Sequence, residues 1–117
     1  MISIGTDIVQ ISRFKKSIET NTEKFLQKIF TSQEIEYCNS YSDPYIHFSG
    51  KYAAKESVKK ALLNSDICKH ISLSDIQVLN REDKSPYVII HTLKEIKLNI
   101  SISHDGDYAI AFAIIEK

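Results

Sequence analysis

Tryptophan is absent and only three glycines occur in the 117 residues. No glycine-rich loop of the kind that cradles phosphates can be built from so few. The sequence contains no GxxxxGKS/T, no GxGxxG and no GxSxG, which removes the P-loop, dinucleotide-fingerprint and nucleophile-elbow readings. Neither sign of charge is in excess, 15 Lys and Arg against 15 Asp and Glu. That balance, with no polybasic or acidic tail, argues against nucleic acid as a partner. The longest uninterrupted apolar run, Tyr108 to Ile115, is far too short to span a bilayer. Cys38 and Cys68 form no CxxC and have no histidine at zinc spacing, so they read as two free thiols of a cytoplasmic protein, with a disulfide between them as the alternative that nothing in the sequence supports. The amino-terminal stretch alternates and carries an early carboxylate, Asp7, unlike the basic start and solid apolar run of a secretion signal.

What remains is 43% hydrophobic and 26% charged, ordinary for a soluble globular protein, and residues 1–117 are expected to form a single domain. The organising stretch is Phe48 to Leu62, the second half of a helix predicted from Pro44 to about Leu63. Asp43 can cap it and Pro44 suits its first position. Gly50, Ala54, Ser57 and Ala61 fall on one face. Four small residues there allow close approach to a sheet, and a glycine in mid-helix otherwise costs about 1 kcal/mol against alanine. Glu56 and Lys60 stand beside this face one turn apart. Their ordinary role is a solvated Glu–Lys pair worth roughly 0.2–0.5 kcal/mol.

Residues 2–11 alternate as a strand, with Ile2, Ile4 and Ile8 expected inward and Gly5, Asp7 and Val9 on the opposite face. Asp is disfavoured inside strands, and the neighbouring Gly5 leaves room for a carboxylate. An ordinary role for Asp7 is to guard a sheet edge. Ser12 can cap a short helix from Arg13 to about Glu19, and Asn21-Thr22 can start a second bearing Phe25, Leu26 and Ile29. The cluster Arg13, Lys15, Lys16 suits either a solvated face or an acidic partner. Thr31 to Glu34 is a capping box opening a helix that ends near Asn39. After a polar loop, strands are predicted over residues 75–79 and 86–91, with Pro86 at a strand's first residue. Leu98, Ile100 and Ile102 mark a half-buried strand, and Asp105-Gly106 signals a type I′ hairpin. The return strand sets Tyr108, Ile110, Phe112 and Ile114 on one face and Ala109, Ala111 and Ala113 on the other. The alanine face matches the small face of the helix, so the helix is expected to pack across this hairpin. The fold class is α+β, a mainly antiparallel sheet against a long central helix.

His47, His70 and His91 are isolated and read as structural, whereas His104 ends a strand at the hairpin beside Ser103 and Asp105. Asp7 and Glu56 are the residues with chemistry in reach. Two carboxylates from distant segments can converge on magnesium, which takes one or two carboxylates and fills its remaining positions with waters and substrate phosphates. Lys55, Lys59 and Lys60 would then balance a diphosphate.

Three segments resemble one family. Ile4-Gly5-Thr6-Asp7-Ile8-Val9 is similar to the amino-terminal motif of the holo-acyl-carrier-protein synthases, Phe48 to Ala61 to their signature helix, and Ile100-Ser101-Ile102-Ser103-His104-Asp105 with Tyr108-Ala109 to their final hairpin. Lys84-Ser85-Pro86-Tyr87 resembles their Gly-Lys-Pro strand start with a serine inserted. The resemblance implies the 4′-phosphopantetheinyl transferase fold. It also implies Mg²⁺-dependent transfer of 4′-phosphopantetheine from coenzyme A to a serine of apo-acyl carrier protein, as in fatty acid biosynthesis, releasing adenosine 3′,5′-bisphosphate. By position, Asp7 and Glu56 match the metal ligands and Lys60 the lysine on the diphosphate. Lys51 stands where the family has arginine, and His104 matches the histidine near the phosphates. Lys55 and Pro86 fall among the substrate-binding positions, and Arg13 resembles the contact to the acidic carrier helix. Either Glu56 or a water on the cation can take the serine proton. Members of this length are homotrimers with the site between protomers, and a trimer is expected here. Two departures stand out. Leu63-Asn64-Ser65 replaces Gly-Thr-Gly, and Lys51 gives up the bidentate phosphate grip of arginine. A non-catalytic module that binds coenzyme A or carrier protein is the alternative that the altered loop would suit.

Overall fold

Eight elements follow one another in a computed structural model that describes residues 1–117, the side chain of Thr22 excepted. They are β1 (Ile2–Gln10), α1 (Ile11–Ile29), α2 (Ser32–Asn39), α3 (Pro44–Asn64), β2 (Gln77–Asn80), β3 (Pro86–Ile89), β4 (Lys97–Asp105) and β5 (Tyr108–Glu116). Strands β1, β5 and β4 form an antiparallel sheet in that order, and β2 and β3 form a separate antiparallel pair. This is the α+β architecture expected. Among the described residues no helix is long and apolar enough to cross a membrane.

Helix α3 begins as its sequence dictates. The Asp43 carboxylate accepts from the Tyr45 amide at 3.2 Å, and Pro44 occupies the first position. Ala54, Ser57 and Ala61 are fully buried against the sheet, where Ala109, Ala111 and Ala113 meet them. The helix therefore crosses the hairpin as expected, and it also lies along β1.

That contact with β1 reverses one expectation. Ile2, Ile4 and Ile8 are 60%, 55% and 63% exposed, while Ser3, Gly5 and Val9 face inward. The helix axis runs too close to the strand for an isoleucine. At Ser3 and Gly5 only small residues fit, and the Ser3 hydroxyl donates to the Ala61 carbonyl at 2.7 Å. Periodicity located the strand, but the tightness of the helix contact chose its face.

Two local expectations also change. Residues 11–29 form one helix, not two. Ser12 does not cap it with its own side chain. Asp107 caps it from the hairpin, accepting from the Ser12 amide at 2.9 Å and from the Ser12 hydroxyl, while its carbonyl takes the Ile11 amide at 2.7 Å. Asn21 folds back onto the Ser17 carbonyl at 2.8 Å and so does not start a new helix; the Thr22 half of that expectation lies outside the described side chains. The hairpin loop is Gly106-Asp107, since Asp105 pairs with Tyr108. Of these two loop residues only Gly106 has positive φ, 57°, the arrangement of a type II′ turn and not type I′. The Thr31–Glu34 capping box forms as read, with the Thr31 amide donating to Glu34 Oε1 at 2.8 Å. Both cysteines are free.

Candidate active site

Because β1 and α3 touch through Gly5, which meets Ser57 and Ala61, the next inward position on the strand, Asp7, lies toward the preceding turn of the helix, where Tyr52 and Glu56 stand. Asp7 and Glu56 line one cleft of about 360 Å³ with Gln10, Arg13 and Tyr52. The Lys60 ammonium crosses from the helix to the strand. It donates to Asp7 Oδ1 at 3.1 Å and to the Thr6 carbonyl at 2.9 Å. The ordinary Glu56–Lys60 pair is not among the described ion pairs. The Tyr52 phenol reports on the same cleft: burial first, then the Glu56 and Asp7 charges, push its pKa above the usual value. The ring of Tyr52 stacks on Phe14 at 4.6 Å, which fixes this wall.

This donor set fits magnesium. Two carboxylates from separate elements face the cleft, and among the described residues no group of three or more His, Cys, Asp or Glu converges to cage an ion. A cation that keeps waters and takes phosphate oxygens suits such a half-built site, whereas structural zinc needs four protein ligands.

A second cleft, of about 490 Å³, lies elsewhere on α3. Gly50, Lys51, His47, Pro86 and His104 line it, with Tyr41, Asn80 and Lys84 at its wall. Lys51 is only 4% exposed. Its ammonium donates to the Val78 carbonyl and to Asn80 Oδ1, both at 2.7 Å, and lies 4.6 Å from the centre of the Tyr37 ring. Burial lowers its pKa. Tyr41 stacks on His47 with ring centres 3.8 Å apart, and its hydroxyl meets Tyr37 at 3.0 Å and the Lys84 ammonium at 3.2 Å. The His47 imidazole is held below its usual pKa by burial first, then by the charges of Lys51 and His104. His47 thus lines this cleft and is not the isolated residue that its place in the sequence suggested. The signal was present: His47, Gly50 and Lys51 are three and four residues apart and share a face. Tyr37 near the end of α2 and Tyr41 just beyond it, four residues apart, meet at the same cleft.

Lys55 corrects another expectation. It is fully buried, with its ammonium 2.8 Å from Glu34 Oε1 and bonded to the carbonyls of Leu73 and Ile76 at 3.1 and 2.6 Å. Glu34 Oε2 accepts from the Val78 amide at 2.8 Å. The pair joins α2, α3 and the segment entering β2, and neither residue lines either cleft. Arg13 is exposed at the rim of the carboxylate cleft. Asn64, in the altered loop, lines a small recess with Gly5, Thr6 and Lys60.

The two clefts share no lining residue. Lys51 and Glu56 are five residues apart on α3, which turns them about 140° from each other round the helix axis. One chain therefore brings Asp7, Glu56 and Arg13 together, and separately Lys51, Pro86 and His104.

Residues 3–113 match the family model of the 4′-phosphopantetheinyl transferase superfamily. The chain is 44% identical to the holo-acyl-carrier-protein synthase of Thermodesulfovibrio yellowstonii, over 96% of each chain. It is 43% identical to that of Chlamydia caviae, over 95% of this chain and 93% of the relative. Among solved structures it superposes on the Helicobacter pylori holo-acyl-carrier-protein synthase in complex with coenzyme A at a TM-score of 0.83, with 33% identity over 97% of this chain and 99% of the other. The Bacillus anthracis enzyme, in complex with coenzyme A (3′,5′-ADP), gives 0.82 at 30% identity, over 97% and 94%.

Proposed function

The chain belongs to the 4′-phosphopantetheinyl transferase superfamily, and from that membership we propose that it is a holo-acyl-carrier-protein synthase. It transfers 4′-phosphopantetheine from coenzyme A to a serine of apo-acyl carrier protein, and it serves fatty acid biosynthesis in the cytoplasm as a single domain. The observation that carries this reading is the convergence of Asp7 and Glu56 on one cleft, with Lys60 on the Asp7 oxygen, in a chain 44% identical to a named synthase.

Asp7 and Glu56 would hold a magnesium ion, which when bound supplies the charge that offsets the diphosphate and the leaving oxygen. Lys60 adds a fixed positive charge at the cleft's edge. With a diphosphate present, its ammonium can exchange the Asp7 carboxylate for a phosphate oxygen. The carrier serine oxygen attacks the phosphorus that bears pantetheine, and the bond to the adenosine-side phosphate breaks, releasing adenosine 3′,5′-bisphosphate. The serine proton leaves as that bond forms, and the Glu56 carboxylate lines the cleft in which it is taken up. Arg13 on the rim suits an acidic carrier helix.

The functional unit is a homotrimer. Its support is the outer face of the three-stranded sheet, where Ile2, Ile4, Ile8, Tyr108, Ile110 and Phe112 are exposed together. An apolar face of this kind on a small protein marks an interface. Assembly through it would let the Lys51–His104 cleft of one protomer complete the carboxylate cleft of the next.

Incubation with coenzyme A and apo-acyl carrier protein, with and without magnesium, tests the reading by intact mass. The expected result is conversion to the holo form only when magnesium is present. Binding of coenzyme A without conversion would show a non-catalytic module instead.

A further inference from the structure

Helix α1 has no cap of its own. Gln10 stands at its N-cap without a side-chain bond to the helix, and its first turn holds no acidic residue. The first amides of a helix need acceptors, and its N-terminus favours negative charge. Asp107, 95 residues beyond Ser12 in the β4–β5 loop, meets both needs. Its backbone carbonyl accepts from the Ile11 amide at 2.7 Å, its Oδ1 from the Ser12 amide at 2.9 Å, and its Oδ2 from the Ser12 hydroxyl. The carboxyl is held below the usual carboxylate range, chiefly by the Ser12 hydroxyl and further by the Ser12 amide and the Gln10 side chain. The turn fixed in this way borders the carboxylate cleft, which Gln10, Arg13 and Phe14 line. Phe14 has a second anchor, since it is buried and stacks on Tyr52. Arg13 has none. It is exposed, and among the described residues no carboxylate forms an ion pair with it. Its place on the rim therefore depends on the turn that carries it.

On the transferase reading given above, on which this step rests, Arg13 meets an acidic helix of the carrier protein. We infer that Asp107 is a positioning residue for the carrier: it locks the first turn of α1 against the hairpin, so that Arg13 is presented from the rim in one place. Asp107 itself lines neither cleft. Without its carboxylate the first turn frays, because its amides lose their acceptors. Arg13 must then be ordered at the moment of docking, and that entropic cost is taken from the affinity for the carrier. The donor and the bond that breaks are untouched. The same hairpin brings His104 to the second cleft, so one loop holds a group in place at each.

The test is Asp107→Ala, which removes the carboxylate at the surface and keeps Gly106 in its turn, so the variant folds. KM for apo-acyl carrier protein should rise about fivefold, the scale of one lost helix cap, with kcat and KM for coenzyme A altered by less than about twofold. Asp107→Asn, whose amide oxygen can still accept from the Ser12 amide, should restore most of the affinity. In an Arg13→Ala background Asp107→Ala should raise KM for the carrier no further, because it acts through Arg13. A merely structural role would raise both KM values or lower kcat, and its effect would add in full to that of Arg13→Ala. Either result, an unchanged KM for the carrier, or failure of Asp107→Asn to rescue overturns the assignment. If the wild type transfers nothing, the transferase reading fails separately and calorimetry decides Asp107. Apo-acyl carrier protein should then bind the wild type about fivefold more tightly than Asp107→Ala. Equal or absent binding overturns the assignment.

Discussion

Gly5 of β1 lies so close to Ser57 of α3 that a Cβ on it would stand 1.9 Å from the Ser57 carbonyl oxygen. The same Cβ would be 2.9 Å from the Ala61 amide nitrogen. Both obstacles are backbone and cannot rotate away. Gly5→Ala should therefore push the strand off the helix and cost about 3 kcal/mol or more, the upper range for overpacking. Denaturant unfolding would show it as a lowered midpoint. Because the same contact places Asp7 in the cleft that Glu56 also lines, the fraction that stays folded should also transfer poorly.

Asp7→Ala and Glu56→Ala should each lower transfer by at least about a hundredfold, since loss of a metal ligand exceeds the loss of the groups that merely support one. Neither should unfold the protein. Asp7 gives up one partly exposed ion pair to Lys60, worth about 0–1 kcal/mol. Intact-mass assays beside thermal melts check both halves. Wild-type transfer in Asp7→Ala would remove the metal assignment.

Much of this arrangement was legible in the residues, and the exceptions share a cause. Asp43-Pro44, Thr31 with Glu34, and the alanines of β5 each act through local geometry, so their roles follow from sequence. Which face of β1 turns inward did not, because Ile2, Ile4 and Ile8 mark an apolar face without saying whether a helix or another molecule covers it. Lys55 was misplaced similarly. It sits beside Glu56 in sequence, yet one residue's turn of the helix sends it into the interior toward Glu34. The Glu34 capping role was readable, but its second role as a buried counter-ion depends on β2, more than forty residues onward.

Removing the charge of Lys55 should be severe. Lys55→Met leaves the Glu34 carboxylate without its cation, and breaking a fully buried pair costs about 3–5 kcal/mol. The Glu34→Gln, Lys55→Met double variant should be less destabilised than the two single losses added together, because each single change strands a charge that the double change does not. Unfolding free energies around this cycle measure the coupling, and strict additivity would mean that the two side chains do not interact.

Stability should fall at alkaline pH partly through Cys38. Burial pushes its thiol from 9.0 up to about 12, with Lys51 and Lys55 opposing and Glu34 assisting. The unfolded chain releases that proton near 9.0 while the folded one holds it to about 12, so the contribution is complete below that window and is lost as pH rises through it. Tyr37, raised to about 12 chiefly by burial, acts in the same direction. Cys38→Ala should show a shallower decline than wild type when unfolding is followed from about pH 8 to 11. Parallel declines would mean that the thiol ionises alike in both states.

The outer face of the sheet supplies the last expectation. In the β1–β5 register Ile4 stands opposite Ile114, Thr6 opposite Phe112 and Ile8 opposite Ile110, so the exposed side chains form one continuous patch. Ile8 and Phe112, 63% and 43% exposed, lie within it, and neither supports the core of its own chain. Ile8→Lys and Phe112→Glu should therefore leave secondary structure and melting of the protomer nearly unchanged, yet shift the mass measured by light scattering from trimer to monomer. Transfer should fall in step, because a lone chain keeps Lys51, His104 and Asp7 in separate clefts. A wild type that is monomeric and fully active would show instead that one protomer brings both clefts to the same donor.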